Sequence, residues 1–279
     1  MIREPLLNEL GEFLKARRAE VTPDQVGLPT GGQRRRVSGL RREEVALLAA
    51  VSTEYYTRIE QGRLPASAPL LEDLARVLHL NDDQRAYLFD LAAKPTLSTA
   101  PRTEGQQVDE QVQRLLDDLS ATPAFVIGRC TDILAWNGLA AAVFTDFAAI
   151  PVEDRSYIRL LFTDPALQRL YADWEEVTRL AIAQLRMETT RYPHEPRLAA
   201  LIQELTESDA RFRRWWGQHD VAVRGKGTKT LHHPVVGELV LDWDTLICGP
   251  DPDQSIIIWT AAPGSASRAK LLQMDGGLR

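Results

Sequence analysis

The chain has 279 residues, 44% of them hydrophobic and 26% charged, with a formal net charge of −6 at pH 7. That length points to two domains rather than one core, and the composition excludes a disordered chain. The net charge excludes a general coater of nucleic acid. The charge is also uneven. Residues 1–94 carry 14 Lys and Arg against 14 Asp and Glu, so the acid excess lies wholly downstream. Any DNA contact by the first part must then be local and specific rather than bulk attraction. Cys130 and Cys248 stand far apart with no Cys-x-x-Cys motif, which argues against a zinc or thioredoxin-type site and leaves both as small apolar residues expected in strands. No apolar run approaches a membrane span, and the start MIREPLLNEL is too acidic for a signal peptide, so a cytoplasmic protein without a membrane partner is expected.

Leu6 to Arg18 reads as an opening helix with Leu7, Leu10 and Leu14 on one side. A long segment from Glu20 to Leu40 follows. Arg34, Arg35, Arg36, Arg41 and Arg42 then fall within nine residues without an acid, which suits phosphate contact or, alternatively, a solvated loop. The most informative stretch is Arg41 to Gly62, RREEVALLAAVSTEYYTRIEQG. Val45, Leu48 and Ala49 mark one face of a short helix. Ser52 is a good N-cap for a second, in which Tyr56 and Ile59 turn inward and Gly62 ends the run. Two short helices joined so tightly must cross steeply, as in a helix-turn-helix, although an ordinary helical hairpin has the same spacing. The second helix presents Thr53, Glu54, Thr57 and Arg58 on its free face: short polar groups near the N-terminus and a guanidinium in reach of guanine or phosphate. Pro65 and Ser67 lead into an amphipathic helix with Leu70, Leu71, Leu74 and Leu78. Asn81 and Gln84 form a capping-box signal for another, carrying Tyr87, Leu88 and Leu91. A compact five-helix domain is complete by about Lys94.

Leu10-Gly11, Phe13-Leu14, Arg17-Arg18, Arg42-Glu43-Glu44-Val45-Ala46, Val51-Ser52, Tyr56, Arg58-Ile59-Glu60-Gln61-Gly62 and Pro65 together resemble the XRE-type, lambda-repressor-like helix-turn-helix. The resemblance covers residues 1 to about 93. It implies that Arg42, Thr53, Glu54 and Arg58 contact DNA, with Tyr55 and Arg63 as nearby phosphate contacts. Ala50 departs from the pattern, standing where that family usually has glycine in the turn. A left-handed alanine there costs about 1 kcal/mol.

Residues 95–107 are polar and rich in Pro, Thr and Gly, and read as a linker. Val108 onward is helical, with Val112, Leu115, Leu116 and Leu119 in one stripe that suits core packing or a dimer seam. Ala124–Cys130 and Ile133–Trp136 are strand-like about a Thr131-Asp132 turn, and Asn137 is placed to cap a helix from Gly138 to Phe144. Helices are expected over Ser156–Phe162, Trp174–Arg191, Arg197–Glu207 and Asp209–Gln218, then strands over Thr228–His233, Gly237–Leu246 and Ser255–Ala261. Two strands, helices, then three strands predict an α+β domain: one antiparallel sheet with helices on one face.

Pro123-Ala-Phe, Ile133-Leu-Ala-Trp-Asn137, Arg191-Tyr-Pro193, Trp215, His233-Pro-Val-Val-Gly-Glu238 and Thr260-Ala-Ala-Pro-Gly264 resemble the PAS-like ligand-binding domain of MmyB-like regulators, over about residues 108–275. Members of that family are bacterial transcription regulators. The resemblance implies a small hydrophobic ligand, a fatty acid being one. A sheet covered by helices can enclose an apolar cavity. Candidate lining residues are Phe125, Leu134, Trp136, Phe144, Phe162, Leu185, Trp215 and Trp216, each also suited to plain core. Arg186 is the candidate anchor for a carboxylate. His219 and His233, and Asn137 if it is not a cap, are candidate donors.

No catalytic motif is present: Gly-x-Ser-x-Gly, His-Glu-x-x-His, a P-loop and Gly-x-Gly-x-x-Gly are all missing from the sequence. Asp242 and Asp244 share a strand face, as exposed strand acids do. The chain is therefore expected to be a homodimeric DNA-binding regulator rather than an enzyme, with no cofactor and no metal. Its partners would be a double-stranded operator, contacted through Arg41, Arg42, Ser52 to Tyr55, Thr57, Arg58 and Arg63, and a hydrophobic effector. Two rivals are a ligand-free interaction module and a cofactor-bearing redox or light sensor.

Overall fold

The computed structural model describes residues 3–29, 38–93, 106–223, 225–248, 251 and 253–278. The Arg34–Arg36 triplet and residues 95–105 of the expected linker lie outside them. The chain divides into two compact units: Met1–Ala100 with Thr189–Pro193 and Trp215–Ala222, and Pro101–Glu188 with His194–Arg214 and Val223–Arg279.

The first unit contains five helices in the order expected: α1 (Arg3–Glu20), α2 (Arg42–Leu48), α3 (Thr53–Glu60), α4 (Ala68–Val77) and α5 (Asp82–Ala92). Leu10, Phe13 and Leu14 of α1 are wholly buried, as are Val45, Tyr56, Ile59 and Leu74 from the next three helices and Tyr87 and Leu88 of α5. Phe13 meets Tyr87 edge-on at 5.2 Å between ring centres. Gly11 lets α1 approach α3 closely, because a Cβ there would overlap the Glu60 carbonyl oxygen.

The second unit opens with α6 (Glu110–Asp118), then β1 (Ala124–Ile127), β2 (Ile133–Trp136) and α7 (Gly138–Val143). Five helices follow: α8 (Tyr157–Thr163), α9 (Pro165–Leu170), α10 (Trp174–Arg191), α11 (Pro196–Ser208) and α12 (Ala210–Trp216). The chain closes with β3 (Lys226–His233), β4 (Gly237–Ile247), β5 (Ser255–Thr260) and α13 (Ala266–Leu278). The strands form one sheet ordered β2-β1-β5-β4-β3, and every neighbouring pair is antiparallel.

Three expectations need correction. Alternation along β1 sends Phe125 and Ile127 to one face and Ala124 and Val126 to the other. The second pair packs with Leu116 of α6, Ala135 and Ile256, so α6 covers the face opposite the main helical layer. Helices therefore lie on both faces of this half of the sheet. Cys130 lies in the β1–β2 turn at φ 57° rather than in a strand, and Cys248 follows β4. Helices α9 and α13 had no counterpart in the sequence reading.

Candidate functional site

In the first unit, the serine cap forms as read. Ser52 Oγ accepts from Tyr55 N at 3.2 Å and opens α3. Tyr56 and Ile59 face the core, while Thr53, Glu54 and Arg58 are exposed and Thr57 and Tyr55 half-buried. Arg58 pairs with Glu54 one turn back on the helix surface. Such an exposed pair contributes only about 0.3–0.5 kcal/mol, so Arg58 leaves it at little cost. Ala50 sits at φ 54°, the left-handed conformation that the turn demands.

Glu60, at the end of α3, fixes the base of this face. Its side chain is fully buried and accepts from Arg18 Nε at 2.7 Å, Arg18 Nη2 at 2.8 Å and Arg42 Nε at 2.8 Å. Burial alone would push Glu60 up. The hydrogen bonds and charge of Arg18, then those of Arg42, overcome it and hold the carboxyl below its ordinary value. Arg18 also donates to Leu40 O at 2.7 Å, tying the loop before α2 to α1. Arg42 keeps 42% of its side chain exposed while held by Glu60, so its terminal nitrogens can face a phosphate. Arg41, half-buried at the start of α2, and exposed Arg63 flank the same two helices. The Arg18–Glu60 clasp joins residues 42 apart and was not read from the sequence.

In the second unit, a cavity lies between the sheet and α10. Its sheet wall is Phe125, Ile127, Trp243, Thr245, Ile257 and Trp259; its helical wall is Val177, Leu180, Ala181 and Gln184; Thr131, Tyr157 and Lys229 complete it. About 620 Å³ is unfilled by protein atoms, including the open mouth. The helical wall follows from spacing, since those four residues repeat at three and four positions and so share one face of α10. Gly227 accommodates Trp243, whose Nε1 would stand 3.0 Å from a Cβ there. Tyr157 and Tyr171 share a hydrogen bond of 2.8 Å, and burial pushes Tyr157 up to about 12, so both stay neutral. At one end, Cys130 and Thr131 occupy successive left-handed conformations at φ 57° and 60°. That is an uncommon state for a β-branched residue. Thr131 Oγ1 is held 2.9 Å from Ser156 Oγ and accepts from Ile158 N at 3.3 Å.

Of the candidate ligand residues, Phe125 lines this cavity. The others stand elsewhere. Phe144 packs on Phe125 and Trp259, and Phe162 on Trp174 and Phe212. Trp136 lies beneath the Arg155 guanidinium. Leu134 packs on the α6 side of the sheet. Leu185 and Arg186 are buried and outside the lining, and Arg186 stands about half a turn around α10 from the face shared by Ala181 and Gln184. Arg186 is thus neither an exposed charge nor part of the lining. Asn137 is a cap: Oδ1 accepts from Ala140 N and Ala124 N, and Nδ2 donates to Leu119 O and Thr122 O. His233 Nε2 lies 3.0 Å from Ala142 O, and its Nδ1 accepts from Val235 N. Trp215, Trp216 and His219 belong to the first unit, where His219 Nδ1 lies 3.0 Å from Glu9 Oε1.

Residues 108–274 match the family described as MmyB-like transcription regulator ligand binding domain, which is more than half of the chain. The chain belongs to the MmyB-like transcription regulators. Residues 9–88 of this MmyB-like regulator match a helix-turn-helix domain, so it is a DNA-binding regulator with a ligand-binding domain. No curated protein matches the chain. Among the described residues no helix is long and apolar enough to cross a membrane.

Proposed function

We propose that this MmyB-like regulator is a homodimeric transcription factor of the bacterial cytoplasm whose reading of an operator is set by a small hydrophobic effector. Residues 1–94 form its DNA-binding domain, and residues 108–279 bind the effector and pair the two copies across a linker at 95–107. Each half is supported by an observation within its own unit: an exposed polar face on a capped helix in the first, and an apolar cavity in the second. Thr53, Glu54, Thr57 and Arg58 read base edges, Ser52 fixes the start of that helix, and Arg41, Arg42, Tyr55 and Arg63 hold phosphates. Two copies then read half-sites about 34 Å apart. The effector class includes the fatty acid that the family resemblance implies. It controls DNA only through unequal affinity for the competent and incompetent states.

Gel-shift of genomic fragments tests the first half, with sedimentation of the purified chain to give its oligomeric state. The expected result is a dimer that retards a subset of fragments selectively, with selectivity lost in Arg58→Ala. A monomer, or selectivity untouched by that substitution, contradicts the reading.

A further inference from the structure

The lining of the second unit's cavity holds one charged side chain among the described residues, Lys229 on β3. Alternation along β3 puts it on the same face as wholly buried Leu231, so the lysine stem lies on the inner side of the sheet. Its side chain is 12% exposed, and its ammonium lies 3.2 Å from Glu176 Oε1 on α10. Glu176 is 68% exposed and immediately precedes Val177 of the helical wall. An ion pair with one partner in water contributes little, so Lys229 Nζ can change partners at low cost. The outermost strand is β3, whereas Phe125 and Ile127 stand on β1, three strands further in. At about 4.8 Å between strands, the lining runs at least ~14 Å across the sheet from its cation to those two side chains. Trp243, Trp259 and Ile257 supply apolar surface on the strands between them. The other polar groups of the lining carry no charge: Thr131 is engaged by Ser156 and Ile158, Tyr157 by Tyr171, and Gln184 is half-exposed.

We propose that Lys229 takes the head group of the effector, a single-chain amphiphile whose head carries one negative charge, as a carboxylate does, and that this head displaces Glu176. The inference rests on the second unit binding the effector, and it moves the anchor from Arg186, expected from the sequence, to β3. Charge sets the class. One ammonium offsets one negative charge, and no second cation of the lining is there to meet a dianion. An anionic head set against the apolar wall would lose its hydration without a countercharge, so the head belongs at the lysine and the chain along the wall. A neutral amphiphile gains the same wall but does not draw Nζ away from Glu176. Glu176 both competes for the ammonium and repels an arriving anion. Once displaced, it turns to the water that its exposure already gives it.

Sodium decanoate and 1-decanol share one chain and differ in charge at pH 8. Titration calorimetry on the full chain at low salt is expected to show decanoate bound at least ~tenfold more tightly, the lower end for a hydrogen bond to a charged group. Lys229→Met keeps an unbranched stem and should weaken decanoate about tenfold while changing decanol less than about twofold. Glu176→Gln removes the competing charge at an exposed position and should tighten decanoate about threefold, again without moving decanol. That second variant keeps the test decisive if Lys229→Met fails to fold. Decanoate no tighter than decanol, a preference that survives Lys229→Met, or a decanoate affinity unchanged in Glu176→Gln overturns the proposal and leaves the effector reading standing. If neither probe binds, native mass spectrometry of the chain as purified decides. A carboxylic acid retained with it supports the proposal, a neutral compound overturns it, and an empty chain removes the effector reading as well.

Discussion

Glu60 in the first unit and Trp259 in the second are buried to the same degree, yet their polar groups are treated in opposite ways. The Glu60 carboxylate accepts three hydrogen bonds from two arginines. The Trp259 indole and its neighbours Trp243 and Thr245 have no partner among the described residues. A buried charge closed by its own chain fixes one geometry, here the end of the exposed helix and the stance of Arg42. Buried donors left unmade are instead a local cost. The first unit is thus built to present a rigid face, and the second carries an unmet polar cost in its sheet.

The largest expected effect breaks the closed site. Glu60→Gln leaves Arg18 and Arg42 without their countercharge and should destabilise the first unit by about 3 kcal/mol. Hydrogen exchange of the α3 amides measures it. Because the folded carboxyl lies below its ordinary value of 4.5, its stabilisation is complete above that pH and fades as pH falls through the lower folded value. Protection of α3 in the unaltered chain should therefore weaken from about pH 5 toward pH 3, and Glu60→Gln should remove that component.

The open site should respond with the opposite sign. Thr245→Val replaces an unmade hydroxyl by a methyl of similar size and should stabilise the second unit by about 1 kcal/mol. Thermal unfolding followed by tryptophan fluorescence reports this, since four of the six tryptophans, Trp136, Trp174, Trp243 and Trp259, belong to the second unit. A loss of stability in Thr245→Val would mean that the hydroxyl is satisfied in solution and that the contrast is false. The smallest effect concerns the turn. Ala50→Gly relieves a left-handed alanine at φ 54° and should raise stability by about 0.5–1 kcal/mol, less whatever glycine adds to the freedom of the unfolded chain. Exchange of the α2 amides resolves it.

Local signals carried well from sequence to structure. Ser52 and Asn81 are helix caps, Gly62 ends its helix region at φ 68°, and the five strands fall within two residues of their expected bounds except at the β1 end, where Cys130 turns away. What was not legible depends on distant partners. The Glu60 clasp needs α1 against α3, and α6 crosses to the second face because alternation along β1 leaves Ala124 and Val126 to be covered. Short α9 begins at a proline, and α13 contains Gly276-Gly277, so neither carries a strong helical signature. The cavity was named through Phe125 but not through Trp243, Thr245 or Trp259. A signal for two of them was present: the alternation that puts Asp242 and Asp244 on one face of β4 puts Trp243 and Thr245 on the other. Arg186 was favoured as an anchor by its chemistry alone, and helical rotation takes it away from the lining.

Selection from a random-sequence DNA library addresses effector-controlled reading of an operator most directly. It would use the full chain as purified and the same preparation stripped of small molecules by a hydrophobic resin. Both should yield one consensus of two related half-sites, bound with affinities differing at least ~fivefold between the preparations, within the usual span of coupling between sites. No consensus, or one bound equally by a loaded and a stripped protein, would contradict it.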